Sequence, residues 1–400
     1  MPSQSWVLTD AAQNLHLEPF AISEKDGTRL EGATNWAIRR TTLRGGVSTG
    51  VDVVEIDNGR LKVSILPTRG MGLWRGECDG LPLGWQSPVA RPVNPAFVNV
   101  MDRGGLGWLA GFNEWLCRCG LDSNGPPGED VVPNNEGHPT RTELTLHGRI
   151  ANIPAHYVEA AVSTEGRGTL SVTGIVDECM LFGPGLRLKS TVRTDAGSNR
   201  LTIIDEVINL RGVASEFELL YHANMGRPFL EPEAQIVAPV MEVAPRDGRA
   251  AESIGQYNVY GPPTAGYVEQ VFWMNLAAAP DGRTLVLLRN AHGDKGVSLR
   301  FNKRELPCFT VWKNTQAEAD GYVTGLEPAT NYPNSKTFER KQGRVPVLPP
   351  GGSYKTSLEL SVHATARDVT AAEQEIAAIQ KLHPPQVHTQ PQARYSRLDG

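Results

Sequence analysis

Apolar and polar residues alternate in twos through most of the 400-residue chain, and this pattern constrains its fold more than any other feature. Such alternation is typical of β-strands that bury one face. Clusters of Gly, Pro, Asn and Asp interrupt it at roughly the 8–12 residue spacing of sandwiches and barrels. The 41 glycines and 29 prolines supply many turns. The pattern therefore predicts an all-β fold, a large antiparallel β-sandwich.

The alternation also places individual strands. Segments 51–56 and 61–66 flank Asp57-Asn58-Gly59, a tripeptide typical of hairpin turns. Further strands, each bounded by turn residues, are predicted at 142–147, 157–163, 169–176, 185–193, 201–209, 215–221, 235–243, 269–274, 283–289, 297–301, 307–312 and 355–362.

Helical periodicity is clearest at 367–382, and His383-Pro384-Pro385 ends the predicted helix. Its apolar face comprises Val369, Ala372, Ile376, Ile379 and Leu382, with Glu373 and Glu375 toward solvent. We therefore divide the chain into an N-terminal extension packing on the sandwich (1–44), the β-sandwich (45–365), and a C-terminal helix with a flexible tail (366–400).

Composition narrows the class of protein. The formal net charge of -5 argues against a basic nucleic-acid platform. No apolar run approaches the roughly 18 residues of a membrane-spanning helix, and the N-terminus has no pattern of a secretory signal. Five cysteines in no regular framework indicate reduced thiols, and Cys117-Arg118-Cys119 is too tightly spaced for zinc. These features predict a cytoplasmic protein without a metal, a nucleic-acid partner or a membrane partner.

The segment 101–140 is rich in glycine around three aromatic residues, Trp108, Phe112 and Trp115. A long ordered segment of this composition is typical of a loop that covers a binding site. A loop that closes one open edge of the sandwich would have the same composition, so both interpretations stand.

Three polar clusters interrupt the strands. The first contains His147, Arg149 and Asn152, whose donors and acceptors suit a polyhydroxylated ligand. Composition alone favours a structural interpretation, with His147 as a core histidine and Arg149 in a surface ion pair.

The second cluster ends an apolar strand in His222, Asn224 and Arg227. Residues 222 and 224 of a strand point to the same face, and an imidazole exchanges protons near neutral pH. A functional role and a structural role are equally compatible with this cluster.

The third cluster contains Trp312, Lys313 and Glu327. Partial burial beside an apolar residue and a proline would raise the pKa of Glu327 toward the range of a general base. Trp312 offers a surface on which a sugar ring stacks. Lys313 as a Schiff-base amine is the less favoured interpretation, because nothing nearby in the sequence depresses its pKa.

Together, over residues 45–363, these clusters resemble the galactose mutarotase superfamily, and within it an uncharacterised bacterial branch of aldose 1-epimerase-like proteins. Gly148-Arg149-Ile150-Ala151-Asn152 resembles the substrate-binding Gly-Arg-x-x-Asn element. The segment 221–226 resembles the region of the general-acid histidine, and Gly325-Leu326-Glu327-Pro328 resembles the element of the general base. Leu66-Pro67-Thr68-Arg69-Gly70-Met71 looks like the early strand-turn of the fold.

The resemblance implies a cytoplasmic isomerase of carbohydrate metabolism that interconverts sugar anomers by acid–base ring opening, with His222 as acid and Glu327 as base on opposite sides of the sugar. It implies no cofactor and no metal, a monosaccharide or sugar derivative as substrate, and it allows a homodimer. His156 and Asp247 are candidates for the family's second histidine and aspartate. The implied substrate-binding residues are His147, Arg149, Asn224, Arg227, Trp312, Lys313 and Arg69.

Two alternatives remain at this point. The first is a non-catalytic carbohydrate-binding protein. The second is a different sugar enzyme on the same fold, such as a lyase or an isomerase or epimerase that acts at another carbon. Tyr221 beside His222 and Arg227 keeps a lyase base in consideration.

Overall fold

The computed structural model of the protein describes residues 3–381 and 384–397. In this part of the chain two large, mainly antiparallel sheets pack face to face around one hydrophobic core. The predicted all-β sandwich is confirmed.

One sheet has ten strands and forms one layer of the sandwich. In spatial order, its strands are β18 (Gln235–Val237), β21 (Arg283–Arg289), β22 (Gly296–Asn302), β26 (Ser353–His363), β15 (Arg200–Asn209), β14 (Gly185–Asp195), β13 (Thr169–Cys179), β12 (Tyr157–Ser163), β1 (Ser3–Asp10) and β2 (Leu15–His16).

The other sheet has thirteen strands, of which β8 (Leu81–Leu83) lies off the main path and pairs with β7. The others are, in spatial order, β27 (Gln386–Val387), β19 (Val240–Pro245), β20 (Gln270–Leu276), β23 (Cys308–Thr315), β24 (Tyr322–Ala329), β17 (Glu218–Met225), β9 (Leu116–Leu121), β7 (Gly72–Cys78), β6 (Leu61–Leu66), β5 (Asp52–Asp57), β4 (Ala37–Thr42) and β3 (Phe20–Ser23).

The remaining elements are short, except for one helix. Two strand pairs, β10 (Gly128–Pro133) with β11 (Pro139–Leu144) and β16 (Ser215–Glu216) with β25 (Val347–Leu348), lie outside the large sheets. The helices are α1 (Asp102–Gly105), α2 (Gly248–Ala251), α3 (Lys336–Lys341) and α4 (Ala366–Gln380). None of the described helices is long and apolar enough to cross a lipid bilayer.

The two sheets differ in how their outer faces are covered. Along β13, buried residues alternate with partly exposed ones, as expected for a strand with one face in the core. Every residue of β17 and β24 is buried, because loops cover the outer face of the thirteen-stranded sheet as well. This covered outer face holds the polar residues discussed below.

Several strand predictions need correction. The predicted strand 235–243 is two strands in different sheets, because Pro239 has no N–H with which to continue a ladder. The predicted strand 215–221 is likewise divided between β16 and β17. The segment 101–140 is only partly a loop, since it contains the central strand β9 and most of the β10–β11 hairpin.

The N-terminal extension is part of the sandwich. Strands β1 and β2 join the ten-stranded sheet, and β3 and β4 form an edge of the other. Both sheets therefore include strands that precede residue 45.

The C-terminal helix α4 begins after Thr365, whose side chain accepts a hydrogen bond from the Asp368 N–H. Its buried residues Val369, Ala372 and Ile376 pack on strand β21. Leu382 and His383, part of the predicted helix end, lie outside the described residues.

The segment after the helix was predicted to be flexible, whereas residues 384–397 make specific contacts with the thirteen-stranded sheet. Tyr395 Oη donates to Glu242, and Trp273 Nε1 donates to Ser396 Oγ over 2.7 Å. Residues 398–400 lie outside the described part of the chain.

Candidate active site

His222 and Glu327 lie side by side on the outer face of the thirteen-stranded sheet. In the antiparallel register of β17 and β24, Ala223 faces Leu326 and Asn224 faces Gly325, which sets His222 opposite Glu327. Their side chains point to the same face, and 3.3 Å separates His222 Nε2 from Glu327 Oε1. Only 5% and 3% of these two side chains are exposed. The sheet therefore brings together two ionisable groups that are 105 positions apart in the chain.

Asn224 fixes the orientation of the His222 ring. Its amide nitrogen donates to the backbone carbonyls of Glu114 and His222, so its oxygen faces His222 Nδ1 at 2.6 Å. An amide oxygen only accepts, and therefore Nδ1 carries a proton and donates it. In the neutral imidazole this leaves the lone pair on Nε2, the atom that faces Glu327.

The surroundings favour the uncharged forms of both partners. Burial raises the pKa of Glu327 well above its ordinary value. Burial and the neighbouring His147 lower the pKa of His222 to about 3. Both shifts favour the arrangement in which one exchangeable proton lies between the two facing atoms, on the Glu327 carboxyl, which donates to Nε2.

Gly325 makes room for this pair. It lies on the same face of β24 as Glu327, two residues away. A Cβ at this position would stand 2.4 Å from Glu327 Oε1 and 3.0 Å from His222 Cε1. A larger residue would force the two groups apart.

Aromatic rings surround His222 and form what we call the aromatic box. The ring centroids of Phe112, Trp312 and His147 lie 5.2, 5.4 and 5.4 Å from that of His222, and Trp108 completes the box at 6.3 Å. Phe112 and Trp108 come from the segment 101–115, which confirms that this part of 101–140 covers the sheet. The box keeps bulk water away from the pair.

His147 enters the box from a tight turn. Its φ of 58° and the φ of 69° at Gly148 are left-handed, and a Cβ on Gly148 would stand 2.2 Å from the Ser123 carbonyl oxygen. His147 Nδ1 donates to the Asn124 carbonyl over 2.8 Å, and burial lowers the pKa of the ring. His147 therefore presents a neutral ring, with Nε2 as an acceptor.

Polar groups border the box beside Trp312, and we call them the rim. Trp312 Nε1 donates to Glu269 over 2.7 Å, and Arg246 bridges Glu269 and Asp247 at 3.0 and 2.8 Å. These side chains are partly exposed, with Glu269 43% and Asp247 39% accessible. They supply both donors and acceptors.

Two of the predicted substrate-binding residues are buried away from the pair. Lys313 lies on the inner face of β23, donates to the Gln256 and Val259 carbonyls, and is 4% exposed; burial lowers its pKa to about 8. Arg69 is fully buried, and its Nε donates to Glu114 over 2.7 Å. Arg69 therefore holds the residue whose carbonyl positions Asn224.

Two other predicted residues lie outside the box. Arg149 is exposed, and its charge partly offsets the burial that raises the pKa of Glu178 to about 7. Arg227 pairs with Glu318 over 2.7 Å and lies over the Tyr322 ring. Neither contacts the His222–Glu327 pair.

Two further candidate site residues from the sequence, Tyr221 and His156, lie away from the His222–Glu327 pair. Tyr221 is buried on the inner face of β17, where its hydroxyl meets Thr356 at 2.5 Å, so it points away from His222. His156 pairs with Asp177 at 3.2 Å on the ten-stranded sheet. Within residues 3–381 and 384–397, no three His, Cys, Asp or Glu side chains gather in a way that could hold a metal ion.

Comparison with known proteins identifies the family. The family described as "Domain of unknown function (DUF4432)" matches residues 48–362. The chain belongs to the DUF4432 family. No curated protein matches this DUF4432 chain.

Solved structures resemble the DUF4432 chain at two levels. A provisionally named aldose 1-epimerase from Klebsiella pneumoniae is 34% identical, with a TM-score of 0.91 over 97% of this chain and 99% of that one. A galactose mutarotase-like protein from Clostridium acetobutylicum, 14% identical, has a TM-score of 0.55 over 80% and 97%. A provisionally named aldose 1-epimerase from Escherichia coli, also 14% identical, reaches 0.51 over 78% and 99%. The last two show the fold alone, and the resemblance to the galactose mutarotase superfamily is confirmed.

Sequence reasoning missed several groups of this DUF4432 site. Glu114 contributes a backbone carbonyl, for which no sequence signal exists. Glu269 and Arg246 of the rim stand in no recognisable motif. Asp247 was a candidate, and the structure places it at the rim. Trp108 and Phe112 were noted only as part of a covering segment.

Proposed function

We propose that this protein is an aldose 1-epimerase, in which His222 and Glu327 open and reclose the sugar ring. The observation that supports this best is their lateral contact at 3.3 Å, with one exchangeable proton. In a cyclic aldose the C1 hydroxyl and the ring oxygen are bonded to the same carbon. An acid and a base that lie side by side can therefore act on both oxygens, whereas the sequence analysis expected the two groups on opposite sides of the sugar.

The pair can serve both directions of the reaction. Because burial favours the proton on Glu327, Glu327 donates it to the ring oxygen while His222 Nε2 accepts the proton of the C1 hydroxyl. The bond between C1 and the ring oxygen breaks, and the C1 carbonyl forms. After rotation about the C1–C2 bond, His222 acts as the acid and Glu327 as the base to close the ring. The family resemblance implies the reverse assignment for ring opening, in which His222 protonates the ring oxygen and Glu327 takes the proton of the C1 hydroxyl.

The net proton count suits an apolar pocket. The pair carries one proton before opening and again after closure, and the proton shifts within the pair during the reaction. The reaction adds no net charge to the aromatic box, whose apolar side chains would solvate a charge poorly.

The remaining groups suit a sugar substrate. Aromatic rings such as Trp312 and Phe112 stack on the apolar face of a pyranose, and the rim offers partners for its hydroxyls. Trp108 Nε1 is buried and finds no acceptor among the described residues, so it is a donor available to a hydroxyl group. The inward orientation of Tyr221 speaks against a lyase that uses it as a base.

Exchange between anomers, measured by NMR on a panel of aldoses, tests this proposal. We expect at least one aldose to equilibrate faster with protein than in buffer, and an Arg141→Ala variant, altered at a 79% exposed side chain, to match the wild type. If no aldose is accelerated, the epimerase assignment fails. Unchanged sugar that nevertheless binds would then indicate a binding protein, and a new product would indicate chemistry at another carbon.

A further inference from the structure

A groove of about 480 Å³ lies beside the aromatic box. It is lined by two indoles, Trp74 and Trp85, together with Arg75, Gln86, Asn113 and Arg227. Its volume lies in the usual range for a small-molecule site. Trp85 belongs to both places, since its ring also packs on Phe112 with centroids 5.1 Å apart.

The groove lining includes one polar side-chain atom without a hydrogen-bond partner among the described residues. Asn113 is 4% exposed, and its Oδ1 is buried and receives no hydrogen bond from the described residues. Its amide nitrogen is already engaged, because it donates to the Val89 carbonyl over 3.0 Å. A buried acceptor without a donor is rare in folded proteins, so a ligand hydroxyl is a natural partner.

The groove also holds one uncompensated positive charge. Arg75 lies over the Trp74 ring, 4.1 Å from the centroid, and forms no ion pair within residues 3–381 and 384–397. Arg227 is already neutralised by Glu318. The planar guanidinium carries several N–H donors whose fork geometry matches a carboxylate or phosphate.

A chain of hydrogen bonds connects the groove to the catalytic pair. Trp85 Nε1 donates to the Glu114 carbonyl over 3.0 Å, the same carbonyl that accepts from Asn224. Asn224 in turn orients His222. The groove wall and the His222 ring are thus fixed by one carbonyl group.

We propose that this groove is a second binding subsite, which holds the anionic part of the sugar substrate while the reacting ring lies at His222 and Glu327. Trp85 stands one ring beyond Phe112, so a substituent of the sugar, and not the reacting ring itself, reaches Arg75. Trp85 provides the stacking surface, Asn113 Oδ1 accepts a hydroxyl, and Arg75 binds the anion. The inference rests on the proposed function in one respect, which is that the reacting sugar ring lies at His222 and Glu327.

Calorimetry with D-glucuronate, glucose 6-phosphate and glucose tests the proposal. We expect the wild type to prefer an anionic sugar over glucose, and Arg75→Ala to reduce that preference by about tenfold or more, which corresponds to about 1.4 kcal/mol. Arg75→Lys keeps the charge but not the planar fork, so it should retain part of the preference. Arg141→Ala, which changes an exposed arginine outside the groove, should retain all of it.

The two anionic probes identify the group that is bound, since either carboxylate or phosphate selectivity supports the subsite. A wild type without preference for either anion, or a preference that survives in Arg75→Ala, would overturn it. Anion binding that depends on Arg75, without faster anomer exchange, would refute the epimerase and leave the subsite. Faster anomer exchange, with anion binding that does not depend on Arg75, would support the epimerase and refute the subsite.

Discussion

Replacing Glu327 by glutamine separates proton transfer from packing. The amide has nearly the shape of the protonated carboxyl and can donate to His222 Nε2, but it has no proton to transfer. A single positioned acid–base group contributes on the order of 10²–10⁴ in rate. Since each tenfold is about 1.4 kcal/mol, the barrier should rise by about 3–5 kcal/mol. NMR exchange between anomers at saturating sugar measures this loss, and sugar affinity should change far less.

The same substitution, which should lower the rate of anomer exchange, should raise the free energy of unfolding. The pKa of Glu327 is raised in the folded protein, so above its ordinary value of 4.5 the unfolded chain releases a proton that the folded chain retains. The wild type therefore loses stability as pH rises from about 4.5 toward the folded pKa, by about 1.4 kcal/mol per pH unit. Glutamine does not titrate. The variant should be the more stable protein above pH 4.5, with a gap that widens in urea denaturation as pH rises toward the folded pKa.

A matched control is Glu129→Gln, which alters a side chain that is 60% exposed and should leave both rate and stability nearly unchanged. A Glu327→Gln variant that exchanges anomers at the wild-type rate would refute the proton-transfer role. A variant that is slow and also less stable at every pH would show that Glu327 is a structural residue and not a proton donor.

Two further substitutions test the surroundings of the pair. His222→Gln should slow exchange on the order of 10²–10⁴ and also lessen acid sensitivity. With a folded pKa of about 3, the wild-type histidine contributes stability above pH 6.5 that is lost as pH falls toward 3, and urea denaturation at acid pH would show it. Arg69→Met leaves the buried Glu114 carboxylate without its cation, so unfolding should become easier by about 3–5 kcal/mol; Arg39→Met, at a 49% exposed arginine, is its control. A loss at Arg69 no larger than at Arg39 would contradict this account.

Part of the fold was predictable because strands β12 to β15 bury only one face. The alternation in β12 predicted its bounds, 157–163, to the residue. Prediction was less successful where a strand is buried on both faces, since β17 has no alternation to mark its limits. The division of strands between the two sheets depends on long-range pairing, which local pattern does not contain.

The site was predictable only where function lies in local motifs. His222, Asn224 and Glu327 stand in such motifs, and the register of β17 with β24 brings them together. Lys313 could have been excluded from the sequence. Neighbouring residues of a strand point to opposite faces, so Trp312 at the site implies Lys313 in the interior. The role of Glu114 was not predictable, because a backbone carbonyl has the same chemistry at every position.

Stability and activity are related in opposite ways at Glu327 and Arg69. The protonated carboxyl of Glu327, buried beside His222, lowers stability at neutral pH. Its role in the aromatic box is therefore proton transfer and not packing. Arg69 instead compensates a buried charge and holds the Glu114 carbonyl that positions Asn224, so its loss should lower stability and rate together. If Glu327 were merely a packing residue, its glutamine variant would follow the pattern of Arg69. If His222 and Glu327 transfer protons and Arg69 only holds them in place, both variants should exchange anomers slowly. The Glu327 variant should then be more stable than the wild type, and the Arg69 variant less stable.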